Sequence, residues 1–197
     1  MLAPHSHWRL AILGSVLLAL GGLIAPGYAR VAVPYYQFTA QLIASSQGWY
    51  VDRVQIVDSV PGHPRTLQLV GRVYDPTLHR HGFATVTGVI QIAAVLQGPL
   101  VFIGVVLLLP AGSWREWRRR LLLGLPVLLL LDALTTVLSL LHAFAEANAI
   151  YMGEATPTTP WEIWTRVLES GGRIALAGLG GLATVGLARI RDTSRIK

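Results

Sequence analysis

Four long apolar stretches set the hydropathy pattern of the chain. They cover residues 9–27, 84–109, 120–145 and 173–190. The hydrocarbon core of a bilayer is about 30 Å thick, and an α-helix of roughly 20 apolar residues crosses it. The pattern therefore predicts an all-α integral membrane protein with four transmembrane helices.

Between the first two apolar stretches the pattern changes twice. Over residues 35–46 apolar side chains recur at helical spacing, which predicts a short helix on the outer bilayer surface or against a neighbouring domain. Over residues 49–60 and 65–74 apolar and polar positions alternate, which predicts a β-hairpin. The side chains predicted to share a face are Tyr35, Phe38, Leu42 and Ile43 on the helix, Tyr50, Val54, Ile56 and Val60 on the first strand, and Leu67, Leu69 and Val73 on the second.

These boundaries divide the chain into five predicted segments. The small extracytoplasmic α+β insertion, a helix plus a β-hairpin, is the second of them and separates the first two transmembrane helices. The segments are 1–29, a cytoplasmic N-terminus with helix 1; 30–83, the insertion; 84–145, helices 2 and 3 with a short basic cytoplasmic loop; 146–172, an outer loop with an interfacial helix; and 173–197, helix 4 with a basic cytoplasmic tail.

The distribution of arginine and lysine predicts the orientation in the membrane. Basic residues in short loops are retained on the cytoplasmic side. Nine basic and two acidic residues lie on one predicted side of the membrane, whereas basic and acidic residues balance on the other. We therefore expect a multi-pass membrane protein with both termini cytoplasmic. The nine are Arg9, Arg115, Arg118, Arg119, Arg120, Arg189, Arg191, Arg195 and Lys197.

The first apolar stretch has a second interpretation as a cleaved signal peptide. Arg9 precedes the apolar run, and small residues at Gly27 and Ala29 suit a cleavage site. The run is longer than most signal-peptide cores, and an uncleaved anchor returns both ends of the chain to one side. We therefore favour an uncleaved helix.

Composition excludes several classes of protein. Only 13% of residues are charged and 53% are hydrophobic, whereas soluble domains carry about 25% charged residues. No cysteine is present, which excludes thiol nucleophiles, disulfides and cysteine-ligated metals. The net charge of +6 arises beside apolar runs and not on a basic face with stacking aromatics, so no nucleic-acid partner is expected. The membrane lipid bilayer is the expected surrounding.

Asp132 is the residue most in need of a partner, because an acid inside a membrane helix costs about 2.5 to 3.5 kcal/mol on insertion scales. Thr136, Ser139 and His142 follow it on one helical face, and Gln97 lies at similar depth on the second stretch. One hypothesis is a proton or ligand path along this stripe. The other, which we favour, is a structural hydrogen bond from Asp132 to Gln97 or to a partner helix.

Motifs for catalysis and metal binding are missing. The sequence has no GxSxG, HExxH or P-loop pattern, so no catalytic residue and no cofactor is predicted. His63, His79 and His81 form a weak metal-site candidate, because no acidic ligand accompanies them at a fixed spacing. No metal ligand is therefore predicted.

The hairpin is too small to be stable alone, so we expect it to rest on another surface. The surfaces expected are the preceding helix, the membrane surface or a partner protein. The extracytoplasmic contact candidates are Trp49, Tyr50, Arg53, Arg72 and Tyr74.

Several segments carry a resemblance to a known family. They are the proline-containing stretch 30–36, the strand-like TLQLVGRV, the tripeptide GPL at 98–100 and WRRRLLLGLPVLLLL. Over residues 8–145 the layout resembles the exosortase H-associated membrane protein family. The resemblance implies a non-enzymatic inner-membrane accessory protein that works with a cysteine-dependent sorting transpeptidase on proteins bearing C-terminal sorting signals.

The leading hypothesis for function is therefore an accessory or scaffold protein with a membrane protein partner. The alternative is a transporter or channel subunit with a polar intramembrane path around Asp132. A third, weaker hypothesis is a membrane enzyme that uses His142 with Asp132 or Glu146.

Overall fold

A computed structural model describes residues 27–28, 30–57, 65–74, 82–153 and 160–193. Several sequence predictions fall outside these residues. They are most of the first apolar stretch, the cleavage alternative, the hairpin turn around Pro61, the three histidines His63, His79 and His81, and the C-terminal Arg195 and Lys197.

A helix and a three-stranded antiparallel sheet form the first half of the fold. Helix α1 covers residues 30–45, and residues 27 and 28 are also helical. The strands are β1 (Tyr50–Val57), β2 (Thr66–Tyr74) and β3 (Phe83–Gln91), in the order β1-β2-β3. Strands β1 and β2 pair from Tyr50 opposite Arg72 to Val57 opposite Thr66, so the predicted hairpin is present.

The prediction of an all-α protein with four transmembrane helices is wrong. The stretch 84–109 contains β3 followed by a helix, α2 (Ile92–Leu108), of only 17 residues. In β3 buried Ala84, Val86 and Gly88 alternate with exposed positions, and the β-branched residues between and beside them favour a strand. A long apolar run shows that a segment has low polarity, but it does not show whether buried residues recur with the period of a helix or of a strand. At the start of this run the nine residues Phe83–Gln91 alternate with the period of a strand.

Two longer helical runs complete the fold. The first joins α3 (Trp114–Asp132), a π-helical segment (Ala133–Val137) and α4 (Leu138–Met152). The second joins α5 (Pro160–Val167), a π-helical segment (Leu168–Gly172) and α6 (Arg173–Thr193).

Two helices in the described part of the chain are long and apolar enough to cross a membrane. They are Trp114–Met152, with 39 residues, and Glu162–Ile190, with 29 residues. These two candidate spans are consistent with membrane association. Helix α2 is apolar but shorter, and it packs beside α3 and α6.

The larger core lies between the sheet, α1 and α4. Leu67, Leu69 and Val73 are buried together, as the alternation in β2 predicts. Two glycines allow α4 to lie close against the sheet: a Cβ atom on Gly88 would meet the backbone nitrogen of Phe144 at 2.5 Å, and one on Gly71 would meet the Phe144 ring at 2.8 Å. The sheet is thus fitted to one particular helix.

The buried faces of α1 and β1 differ from those predicted. Phe38 and Leu42 are exposed, and the buried face of α1 carries mainly alanines with one tyrosine. In β1 a register shift between Val51 and Arg53 leaves Tyr50 exposed, while Val54 stays buried as predicted. A bulge of this kind changes the side of the sheet that a residue faces. The buried residues of α1 are Ala32, Tyr36, Ala40 and Ala44.

Candidate functional site

Asp132 lies at the C-terminal end of α3, where it is 2% exposed and bonded to three hydroxyl groups of its own chain. The Tyr28 and Tyr36 hydroxyls donate to its Oδ2 atom, each at 2.5 Å. The Thr136 hydroxyl donates to Oδ1 at 3.1 Å. Both carboxylate oxygens are therefore engaged, and the bonds tie α1 to the junction of α3 and α4.

The two tyrosines reach the same carboxylate from two places: Tyr36 lies on α1, and Tyr28 lies in the short helical piece before it. Burial, reinforced by the nearby Asp132 charge, raises the pKa of Tyr36 far above its usual range, so its hydroxyl stays protonated. Tyr35 adds a bond at 3.0 Å to the Leu129 carbonyl oxygen. Neither Tyr28 nor Tyr36 was singled out from the sequence, although their spacing was visible.

The predicted polar stripe does not form one continuous row. Thr136 bonds Asp132, whereas the Ser139 hydroxyl donates to the Thr135 carbonyl oxygen at 2.7 Å and accepts from Arg173. His142 lies farther along α4 and lines a cavity. The π-helical segment after Asp132 inserts a wider turn, which changes the direction of the side chains that follow.

Arg173 is a second buried charged residue near Asp132, with 6% of the residue exposed. It donates to the Ala94 carbonyl oxygen at 2.8 Å and to the Ser139 hydroxyl at 2.7 Å. These bonds join the start of α6 to α2 and α4. In the sequence Arg173 marks the start of the fourth apolar stretch, and a single arginine at that position does not reveal burial.

A cavity of about 870 Å³ opens on the sheet side of Arg173; we call it the junction cavity. It lies between the end of β3, the start of α2, and helices α4, α5 and α6. Gln97 lines this cavity and is exposed, and no bond joins it to Asp132. The lining residues used below are Gln97, Ser139, His142, Glu146, Thr165 and Arg173.

A second charged cluster closes the opposite end of the helices. Arg120 is fully buried and donates to three carbonyl oxygens at the end of α2 and just beyond it: Val106 at 3.3 Å, Leu109 at 2.6 Å and Pro110 at 2.9 Å. These carbonyls have no helical partners of their own at a C-terminus. The cluster therefore caps α2.

Glu116 holds this cap in place. Its carboxylate accepts from Arg120, from the Gly112 backbone nitrogen at 2.8 Å and from Arg189 Nε at 3.2 Å. The Ser113 side chain accepts from the Glu116 backbone nitrogen at 3.1 Å and begins α3. Glu116 thus joins the ends of α2, α3 and α6.

Comparison with models of known families, with curated proteins and with solved structures gave no match. Among the residues that the structure describes, no group of three or more His, Asp or Glu side chains is placed to hold a metal ion.

The outer face of the sheet carries an exposed aromatic group, which we call the aromatic patch (Tyr50, Tyr74 and Phe83). These residues are 60%, 54% and 46% exposed. The Phe83 ring lies 5.8 Å from the Tyr50 ring and 6.2 Å from the Tyr74 ring, both edge to face. The contact candidates Tyr50 and Tyr74 are therefore brought together on the surface.

The other contact candidates divide between surface and core. Arg72 lies on the surface, where its guanidinium is 2.8 Å from Asp52, and Arg53 is also exposed. Trp49 is half-buried, with its ring 5.6 Å from that of Phe144. Arg53 and Arg72 therefore remain accessible, and Arg72 lies opposite Tyr50 of the aromatic patch, whereas Trp49 packs against the core.

Proposed function

We propose that this chain is a non-enzymatic accessory or scaffold protein that holds its sheet at a membrane surface for a protein partner. The observation that carries the proposal is the state of Asp132, whose two oxygens are occupied by three hydroxyls of the same chain. A carboxylate occupied in this way fastens α1 to α3. A proton relay, in contrast, needs an acid that water can reach, and Asp132 is 2% exposed.

The packing beyond Asp132 also favours a scaffold over a channel. Towards the end that carries Arg120, helices α2, α3 and α6 meet through Phe102, Val106 and Ala177. Gly180 lies so close to Leu131 that a Cβ atom would be 2.5 Å from its methyl group. An apolar interior of this kind does not provide a path for an ion or a polar solute.

Charge supports a particular orientation. Arg115, Arg118 and Arg119 at the start of α3 and Arg189 near the end of α6 lie at the same end of the helices, which Glu116 joins. Basic residues are retained on the cytoplasmic side of a bacterial inner membrane. We therefore place this end in the cytoplasm and the sheet outside.

The aromatic patch is the surface that we assign to the partner. Strand β3 runs from Phe83 to Gln91 and continues directly into α2, so at about 3.3 Å per residue Phe83 lies roughly 30 Å from the start of that helix. This distance favours a protein over the lipid headgroups beneath. Clustered tyrosine and phenylalanine are typical of interface centres. The family resemblance suggests that the partner is a membrane-embedded sorting transpeptidase.

Affinity purification from native membranes tests the proposal. The tagged wild-type protein, the variant Tyr50→Ala/Tyr74→Ala/Phe83→Ala and the control Trp114→Ala are solubilised in mild detergent. Trp114 is an exposed aromatic at the opposite end. We expect a stoichiometric partner with the wild type and with the control, and its loss from the triple variant.

Two outcomes would contradict the proposal. One is recovery of the same partner with the triple variant, which would remove the aromatic patch from the interface. The other is ion or solute flux through proteoliposomes of the purified chain that Asp132→Asn abolishes, which would favour the channel subunit.

A further inference from the structure

The wall of the junction cavity holds buried donors that lack partners. A guanidinium has five N–H donors, and Arg173 uses only two, towards Ala94 and Ser139, within the described residues. The Thr165 hydroxyl is also buried and bonds to nothing in that part of the chain. Both residues line the cavity. Because buried donors without partners are costly, they indicate an anionic group that is bound there.

Acidic side chains also line the cavity. Glu162 and Glu169 lie on the same helical run as Thr165, and Glu162 is already paired with Arg166, whereas Glu146 lies on α4. Glu146 is exposed and makes no ion pair within the described residues. A carboxylate in this position pairs favourably with an ammonium group. The cavity therefore presents donors for an anion on α5 and α6 and a carboxylate for a cation on α4.

We propose that the junction cavity binds the phosphoethanolamine headgroup of a bilayer phospholipid. The phosphate faces Arg173 and Thr165, and the ammonium faces Glu146. The cavity volume of about 870 Å³ lies within the range of small-molecule sites. This ligand would satisfy the donors of Arg173 and Thr165 and the carboxylate of Glu146 at once, which a purely anionic or purely cationic molecule would not.

The position of the cavity favours a lipid over a soluble molecule of the same chemistry. Arg173 is the first residue of α6, within the candidate span Glu162–Ile190. Ile174, the next residue of α6, also lines the cavity and is exposed. A headgroup at this level has its acyl chains beside the apolar helix, where the bilayer already places them.

Native mass spectrometry of the full chain in detergent tests the proposal. The chain is titrated with dioleoyl phosphatidylethanolamine, dioleoyl phosphatidylcholine and dioleoyl phosphatidylglycerol. The choline headgroup has no N–H to donate, and the glycerol headgroup has no ammonium. We expect one bound phosphatidylethanolamine per chain, with an affinity about tenfold higher than for either other lipid, because a charge-assisted hydrogen bond contributes roughly that factor.

Matched variants separate the two ends of the headgroup. Glu146→Gln should abolish the preference for phosphatidylethanolamine over phosphatidylglycerol while leaving phosphatidylglycerol binding unchanged. Thr165→Val should lower the affinity for each of the three lipids by about fivefold, because one hydrogen bond to the phosphate is lost. Asp52→Asn and Thr85→Val make the same chemical changes outside the cavity and should change nothing. Glu146 is exposed, so its variant tests the site without a risk to folding.

Three results would overturn the proposal. Equal affinity for the three lipids would exclude recognition of the ammonium. A preference that survives in Glu146→Gln would place the headgroup elsewhere. Displacement of the lipid by an equal concentration of soluble O-phosphoethanolamine would show that the bilayer is not the source of the ligand.

Discussion

The tie between α1 and Asp132 gives the sharpest test of the fold. In Tyr36→Phe the ring remains and only the hydroxyl that donates to Asp132 is removed. A hydrogen bond to a charged group contributes about 1.5 to 3 kcal/mol when its loss leaves a buried acceptor. In a chain of this size each kcal/mol moves the melting temperature by about 2 to 4 °C. We therefore expect the melting temperature to fall by about 3 to 12 °C.

Tyr35→Phe is the matched control for this change. It removes one hydroxyl from the adjacent residue of the same helix, but that hydroxyl makes an exposed bond to a carbonyl oxygen. Water replaces such a bond, so the melting temperature should fall by less than about 3 °C. The assay is thermal unfolding of the purified protein in detergent. Equal shifts for Tyr35→Phe and Tyr36→Phe would refute the reasoning.

Substitution of Asp132 itself separates a structural from a functional acid. Asp132→Asn keeps one carbonyl oxygen for the hydroxyls, whereas Asp132→Leu leaves all three without their acceptor. Because each unsatisfied buried hydroxyl costs about 1 to 3 kcal/mol, the leucine variant should be much less stable than the asparagine variant. Similar stability of the two variants would show that the hydroxyls do not depend on Asp132.

Three further predictions use the same thermal assay. Gly88→Ala should lower the melting temperature by several degrees, because the new Cβ would meet the Phe144 backbone at 2.5 Å. Gly98 has open space around it, so Gly98→Ala should leave the melting temperature unchanged. Equal effects of the two substitutions would contradict the close packing of sheet and helix. Glu116→Gln should lower the free energy of unfolding by about 3 to 5 kcal/mol, because it leaves buried Arg120 without a counter-charge. A loss below about 1 kcal/mol would contradict the role of Glu116 in the cap of α2. Arg72→Ala removes an exposed ion pair, so it should lower the free energy of unfolding by less than about 1 kcal/mol. A larger loss would show that Arg72 has an unrecognised structural role.

Local patterns explain the parts of the fold that the sequence predicted. The alternation at 65–74 identified a strand and its buried side chains Leu67, Leu69 and Val73. The same signal was present over 83–91, but the neighbouring apolar helix concealed it within one long run. This one error in the period explains two differences from the prediction. The third strand of the sheet was not predicted, and a transmembrane helix was predicted where the chain forms β3 and the shorter helix α2.

The candidate site shows a different limit. Asp132 was identified because an acid in an apolar run is costly, but its two tyrosine donors are 96 and 104 residues away in the chain. No local pattern connects a carboxylate to tyrosines at that separation. The burial of Arg173 could not be predicted for the same reason, because its partner Ser139 lies on a helix 34 residues earlier.

The two π-helical segments explain why the buried charges lie where they do. Helix α3 packs against α6, whereas α4, in the same continuous helix, packs against the sheet and α5. The π-helical segment Ala133–Val137 inserts a wider turn between α3 and α4. Because one residue added to an α-helix rotates the following side chains by about 100°, α3 and α4 can pack against different neighbours. The second run changes direction at Leu168–Gly172, where Gly171 has a φ of 101° that favours glycine. Asp132 immediately precedes the first segment and Arg173 immediately follows the second, so each charge fixes a helix at the point where its hydrogen bonding is irregular.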